Sequence, residues 1–211
     1  MYSKLIIAGC GWHAHIVAEL AELTGKYTQI QLIDRDLPTK AAWGDWPVIG
    51  GFDVLTQCLS SSTDEFFVAL GDNDARIALC TQIVENGGKL AILIHPRAFV
   101  SPRAHLQPGT VICAGAVVQP YAIIGMGCIV NTSATVDHHC ELADGVHLSP
   151  GVHLSGNVRI GKKCWLGTGA SVRDKLTIVG DVVVGAGSAV VKDICESGTY
   201  FGVPSRLIKK R

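Results

Sequence analysis

The chain has 211 residues, enough for two modest domains each with its own core, and its 18 basic and 18 acidic residues cancel. With no positive field to hold a phosphodiester backbone or an anionic bilayer, nucleic acid and membrane surfaces are excluded as partners. The eight cysteines form no CxxC pair and no cysteine–histidine cluster at metal spacing, so they read as reduced core residues of a cytoplasmic protein.

In chain order, KLIIA at 4–8 reads as a short strand ending at Gly9. The run LIIAGC is too short for a signal-peptide core, and no segment reaches the roughly 18 apolar residues of a membrane span. HAHIVAELAEL at 13–23 has helical spacing, IQLID at 30–34 reads as a second strand, EFFVAL at 65–70 as a third and LAILI at 90–94 as a fourth. A helix from about Asn73 to Glu85 joins the last two. Strands alternating with helices imply a small parallel sheet with crossover helices.

Between the first strand and the first helix, GCGWHA (Gly9 to Ala14) satisfies the dinucleotide fingerprint G-x-G-x-x-G/A, and Asp34 ends the second strand twenty residues later. Taken alone, this pattern points to NAD. About 95 residues with four strands leave no second mononucleotide half, which argues against it. What the fingerprint does license is a backbone that approaches a phosphate, with the N–H donors of a helix N-terminus aimed at it.

After His95–Pro96 the period changes. From Val100, steps of six meet Leu106, Ile112, Val118, Ile124, Val130, Val136, Leu142 and so on to Val190, sixteen positions that are all Val, Leu or Ile. Four residues after each comes a mostly small, apolar side chain such as Ala104, Ala116, Cys128, Ala134 or Cys140. A period of six is the signature of a hexapeptide parallel β-helix: three hexads make one triangular coil, and eighteen residues bring the chain back above itself by one strand spacing of about 4.8 Å. The predicted architecture is therefore an α/β half-Rossmann domain over 1–96 and an all-β helix over 97–211.

Residues eighteen apart stack in columns along the prism, which puts Gly156 one coil beyond His138 and Ala186 one coil beyond Thr168. In VDHHCEL (136–142), Val136 and Cys140 keep the core, so Asp137, His138 and His139 are free to face outward at a corner. An imidazole there can take a proton from an attacking amine or hydroxyl. A solvated surface histidine is the plainer alternative, and it applies equally to His105, His147 and His153.

The segments IIAGCGWHAHIVAEL, LIDRD, ALGDNDARIAL, LIHPRAFVSPRA, NTSATVDHHCELADGVHLSPGVHLSGNVRIGKKCWLGTGASV and GTYFGVPSRLIKK resemble the bacterial sialic acid O-acetyltransferase and sugar-nucleotide N-acetyltransferase family over essentially the whole chain. The resemblance implies a left-handed β-helix, a homotrimer, and acetyl-CoA as cosubstrate between neighbouring subunits, without a metal. It implies transfer to the 4-amino group of a UDP-linked amino-dideoxy sugar. By position it makes His138 the general base and Gly156 the residue whose N–H meets the thioester oxygen. The next residue in relatives is usually acidic and orients the base; here the catalytic-site position holds His139 instead, so the orienting role falls to Asp137 or to a carboxylate from the adjacent subunit, or His138 works without one.

Acetyl-CoA contacts fall by the same resemblance on His147, Thr168 and Ala186, and those of the nucleotide sugar on Gly11, Trp12, His13, Asp34, Arg35 and Gly71. Arg206, Lys209 and Lys210 are either a solvated basic tail or phosphate contacts. Three rival readings accompany this one: O-acetylation of sialic acid or another hydroxyl sugar, a non-catalytic nucleotide-sugar-binding trimer, and a metal-dependent hydratase built on histidines from different coils.

Overall fold

The computed structural model describes residues 2–35, 42–59 and 63–210, in two compact units spanning 1–96 and 97–211. In the first unit, β1 (Tyr2–Ala8) lies between β2 (Tyr27–Ile33) and β5 (Glu65–Val68), parallel to both. Leu5, Ile7, Leu32, Ile33, Phe66 and Phe67 are buried, as expected of parallel strands covered on both faces. The helices α1 (Trp12–Leu23) and α2 (Asn73–Glu85) supply Ala14, Val17, Ala18, Leu20, Cys80 and Ile83 to that packing.

The outer part of the sheet differs from the expectation. A two-residue β3 (Ala42–Trp43) pairs antiparallel with β4 (Trp46–Gly50), and β4 runs parallel to β2. Pro47 argues against a strand in sequence, yet Pro is tolerated near a sheet edge where its missing N–H is not required. The expected fourth strand at 90–94 shrinks to a bridge between Leu90 and Phe66 and a short strand at Leu93–Ile94. With β1 feeding β2 on one side and β5 on the other, the order β4-β2-β1-β5 reverses at β1, which opens a crevice at the carboxyl ends of β1 and β5.

The second unit is a prism of short strands from Phe99–Val100 to Ala189–Val190, each ending on the aliphatic residue of its hexad. Each strand up to Ser171–Val172 pairs in parallel with the one eighteen residues on, as Thr135 with His153 and Val136 with Leu154. The hexad aliphatics and the small residues four positions later form one continuous core from Ile112 to Ile194. At every corner from 109 to 187 the residue three after the aliphatic has positive φ: seven are glycines, and the others are Tyr121, Ser133, His139, Asn157, Lys163, Lys175 and Asp181. A non-glycine residue in that conformation costs about 1–2 kcal/mol, so the coil imposes these turns. Interstrand hydrogen bonds supply the opposing term; His139 N–H, for example, donates to the Pro120 carbonyl at 3.2 Å.

Beyond the last coil, Gly198–Phe201 adds in parallel to Val182–Val184, and Arg206–Lys210 returns antiparallel to it.

Candidate active site

His138 sits at a corner of the prism with its ring exposed, between the buried Val136 and Cys140. Its ring lies over Gly156 of the next coil. A Cβ built on that glycine would fall 2.6 Å from His138 Cε1 and 2.7 Å from Nε2, so only glycine leaves room for the imidazole. Coil-to-coil bonds are donated by Ser155 N–H to the Val172 carbonyl at 3.1 Å and by Asn157 N–H to the His138 carbonyl at 3.0 Å. The intervening Gly156 N–H takes no part in that ladder, which leaves a backbone donor beside the ring.

Asp137, a candidate to orient the imidazole, instead accepts the backbone N–H of His138 on Oδ1 at 2.7 Å. The ring contact is with His139: the two Nδ1 atoms are 3.2 Å apart and the rings meet edge to face. On the strand face leading to this corner, Thr135 Oγ1 and His153 Nδ1 are 2.9 Å apart. With Gln119, Asp137 and Ser155 they line a cavity of about 330 Å³.

Cys140 is not a reactive thiol. Burial pushes it up to about 11, and its Sγ donates to the Ser155 carbonyl at 3.1 Å. A group that is almost wholly thiol at neutral pH is a poor nucleophile.

Thr168 and Ala186 are exposed and stack in one column, as expected, but on a different corner from His138. Between the two columns runs the whole strand face that carries Thr135, His153 and Ser171. His147 lies on the face before the Thr168 corner, stacked on Trp165 at 5.9 Å with an interplanar angle of 14°, and Trp165 Nε1 donates to Ser149 Oγ at 2.9 Å. One chain therefore does not bring His138 together with Thr168 and Ala186.

In the first unit, Gly9 has φ +109°, and a Cβ there would meet Leu70 Cδ2 at 2.9 Å and the Ala69 carbonyl oxygen at 3.2 Å. Gly11 differs: it is the extended N-cap of α1, and a Cβ on it would meet nothing. The Asp34 carboxylate accepts the Cys10 N–H at 2.6 Å, tying the end of β2 to the glycine loop. Asp34, Arg35 and Gly71 line a cleft of about 420 Å³ with Phe52, Leu70 and Asp72; Gly11, Trp12 and His13 are not part of its lining.

His13 Nε2 is buried with no hydrogen-bond partner among the described residues. Burial, reinforced by the Arg76 charge, lowers its imidazole to about 4. Trp12 is 81% exposed, and edge-on to it His15 stacks on Trp43 at 5.3 Å.

Arg76, which in sequence reads as a polar residue at the start of a helix, is completely buried. Its guanidinium donates to the carbonyls of Leu70 and Gly71 at 2.9 and 3.2 Å and to Asn73 Oδ1 at 2.6 Å, fixing the loop that follows β5. Lys210 forms an ion pair with Glu196 at 2.9 Å on an exposed strand. Among the described residues no three His, Cys, Asp or Glu side chains converge as a metal site, and no helix is long and apolar enough to cross a membrane.

Residues 4–83 match the PglD N-terminal domain family. Over the whole chain the fold is similar to the acetyltransferase domain of PglB from Neisseria gonorrhoeae, at 42% identity and TM-score 0.94, covering 97% of this chain and 99% of that one. The same domain has been solved in complex with acetyl coenzyme A, at 41% identity to this chain and TM-score 0.94, covering 99% of this chain and 100% of that one. A perosamine N-acetyltransferase from Caulobacter crescentus, in complex with CoA and GDP-perosamine, aligns at 36% identity and TM-score 0.90, covering 98% of this chain and 97% of that one. Full-length agreement at these identities, on a half-Rossmann unit followed by hexapeptide coils, places the chain in the left-handed β-helix family of sugar N-acetyltransferases, and it is an acyltransferase.

Proposed function

We propose that the protein transfers the acetyl group of acetyl-CoA directly to the 4-amino group of a UDP-linked amino-dideoxy sugar, working as a homotrimer. The observation that carries this reading is the His138 ring seated over Gly156 beside an N–H that the coil ladder leaves unused. His138 Nε2 takes the amine proton as the nitrogen attacks the thioester carbonyl, and the Gly156 N–H donates to the oxyanion of the tetrahedral intermediate. The intermediate expels CoA as thiolate, which leaves with the proton held by His138. No acyl-enzyme is needed, in agreement with the thiol of Cys140 being buried and held protonated.

The trimer follows the family resemblance, and the separation of the two columns supports a site shared between subunits: a pantetheine arm along Thr168 and Ala186 meets the His138 corner if that corner belongs to another subunit. Acetyl-CoA and a nucleotide sugar are the ligands of the relatives. For this chain the nucleotide is assigned to the first unit, with Asp34, Arg35 and Gly71 in the cleft and Gly11, Trp12 and His13 at the helix N-terminus. UDP follows the UDP-linked sugars of the family resemblance, while the Caulobacter relative was solved with a GDP sugar.

CoA release measured side by side with UDP- and GDP-linked 4-amino-4,6-dideoxy sugars and free sialic acid tests the proposal. Turnover with the UDP-linked amine supports it; preference for the GDP-linked amine corrects the nucleotide alone; acetylation of sialic acid without amine turnover overturns it. Light scattering at a mass other than three chains would overturn the trimer.

A further inference from the structure

We infer that His139 and Tyr121 form a positioning stack that holds His138 in its productive tautomer, with a second imidazole in place of a carboxylate. This rests on the reading of His138 as the base. Two Nδ1 atoms 3.2 Å apart cannot both carry protons, nor hydrogen-bond if neither does. One donates and the other accepts. For His138 to receive a proton on Nε2, beside Gly156, its Nδ1 must be the donor and His139 Nδ1 the acceptor; the reverse arrangement puts the proton on the atom that has to act.

Tyr121 supplies the second part. It is one coil before His139, and both occupy the positive-φ turn position, with φ +63° and +57°. Their rings pack against each other in a tilted contact, with centroids 5.0 Å apart and an interplanar angle of 32°. The His139 ring is thereby held between a tyrosine face and the edge of His138, although all three side chains are exposed. The carboxylate on the same turn, Asp137, is turned to the His138 backbone N–H. On the facing coil the corresponding turn carries Gly156 and Asn157, without charge, and Lys175 N–H bonds the Gly156 carbonyl from one coil further.

An unprotonated imidazole orients its neighbour as a carboxylate does, but it adds no negative charge to favour the imidazolium form of His138. Placing a carboxylate at 139 therefore raises the proton affinity of His138, so the acid limb of kcat/KM moves to higher pH.

The test uses the full-length enzyme with three variants. His139→Phe keeps the stack on Tyr121 but removes the acceptor; kcat should fall about tenfold or more with the KM for acetyl-CoA unchanged. His139→Glu should recover most of that loss and shift the acid limb upward by about one pH unit. Nitrogen-15 spectra should show His138 as the Nδ1–H tautomer in the parent and a loss of that preference in His139→Phe.

His138→Ala separates this inference from the one beneath it. If His138→Ala is inactive while both His139 variants keep the parent kcat and acid limb, the positioning role is wrong and the base assignment stands. If His138→Ala is fully active, the base assignment itself fails.

Discussion

The His138 imidazole occupies the space that a side chain on Gly156 would fill, with Nε2 only 2.7 Å from the position of the missing Cβ. Eighteen residues separate the two, which is one turn of the prism, so the contact is a property of the coil and not of a flexible loop.

Gly156→Ala should therefore act on chemistry before stability. The atoms its methyl meets belong to the end of a side chain that can swing away, so the melting temperature should stay close to the parent while kcat falls by about tenfold or more. Gly167→Ala is the contrast. Its Cβ would meet the Ala186 backbone nitrogen at 2.6 Å, which cannot yield without moving a coil, and about 1–3 kcal/mol of stability should be lost. Thermal melts and turnover of the two variants check both halves.

Cys140→Ala should keep kcat within a few-fold of the parent and lose on the order of 1 kcal/mol of stability, because the thiol fills core space. An acyl-enzyme adduct at Cys140, sought by mass spectrometry of the enzyme mixed with acetyl-CoA, is expected to be absent.

Stability should fall on acidification through His13. The unfolded imidazole takes up its proton near pH 6.5 and the folded one only near 4. Between those values the unfolded state holds more protons, so stability is fully present above about 6.5 and declines as the pH drops towards 4. Urea melts from pH 7.5 to 4 should show a shallower decline in His13→Gln than in the parent.

Asp34→Ala releases the Cys10 N–H from its carboxylate partner and removes a residue from the first-unit cleft. The KM for the nucleotide sugar should rise about tenfold while that for acetyl-CoA is unchanged. Steady-state kinetics with each substrate varied in turn separates the two.

Much of this was legible in sequence where one physical rule dominated. Stepping by six from Val100 located every strand of the prism, because each coil must return an aliphatic residue to the axis. Helical spacing over 13–23 marked the first helix, found at Trp12–Leu23, and the helix expected from about Asn73 to Glu85 as the link between two strands is present over those residues. Where two rules competed, less could be read. Pro47 masked β4, and the left-handed turns at Tyr121, His139 and Lys163 carry none of the glycine that marks such positions elsewhere.

The burial of Arg76 is not legible in sequence, because nothing in a linear pattern announces that the carbonyls of Leu70 and Gly71 converge on it. The Tyr121–His139 stack did have a signal. The two are eighteen residues apart, in the column next to the one holding His138 and Gly156, and following the fourth hexad position as well as the third would have found it.

In the proposed mechanism His138 accepts the amine proton. Stopped-flow turnover of His138→Ala with saturating acetyl-CoA and the UDP-linked amino sugar tests it most directly, with isothermal titration confirming that acetyl-CoA still binds. The transfer rate should fall by about two orders of magnitude or more at near-parental acetyl-CoA affinity. A transfer rate equal to the parent's would contradict it.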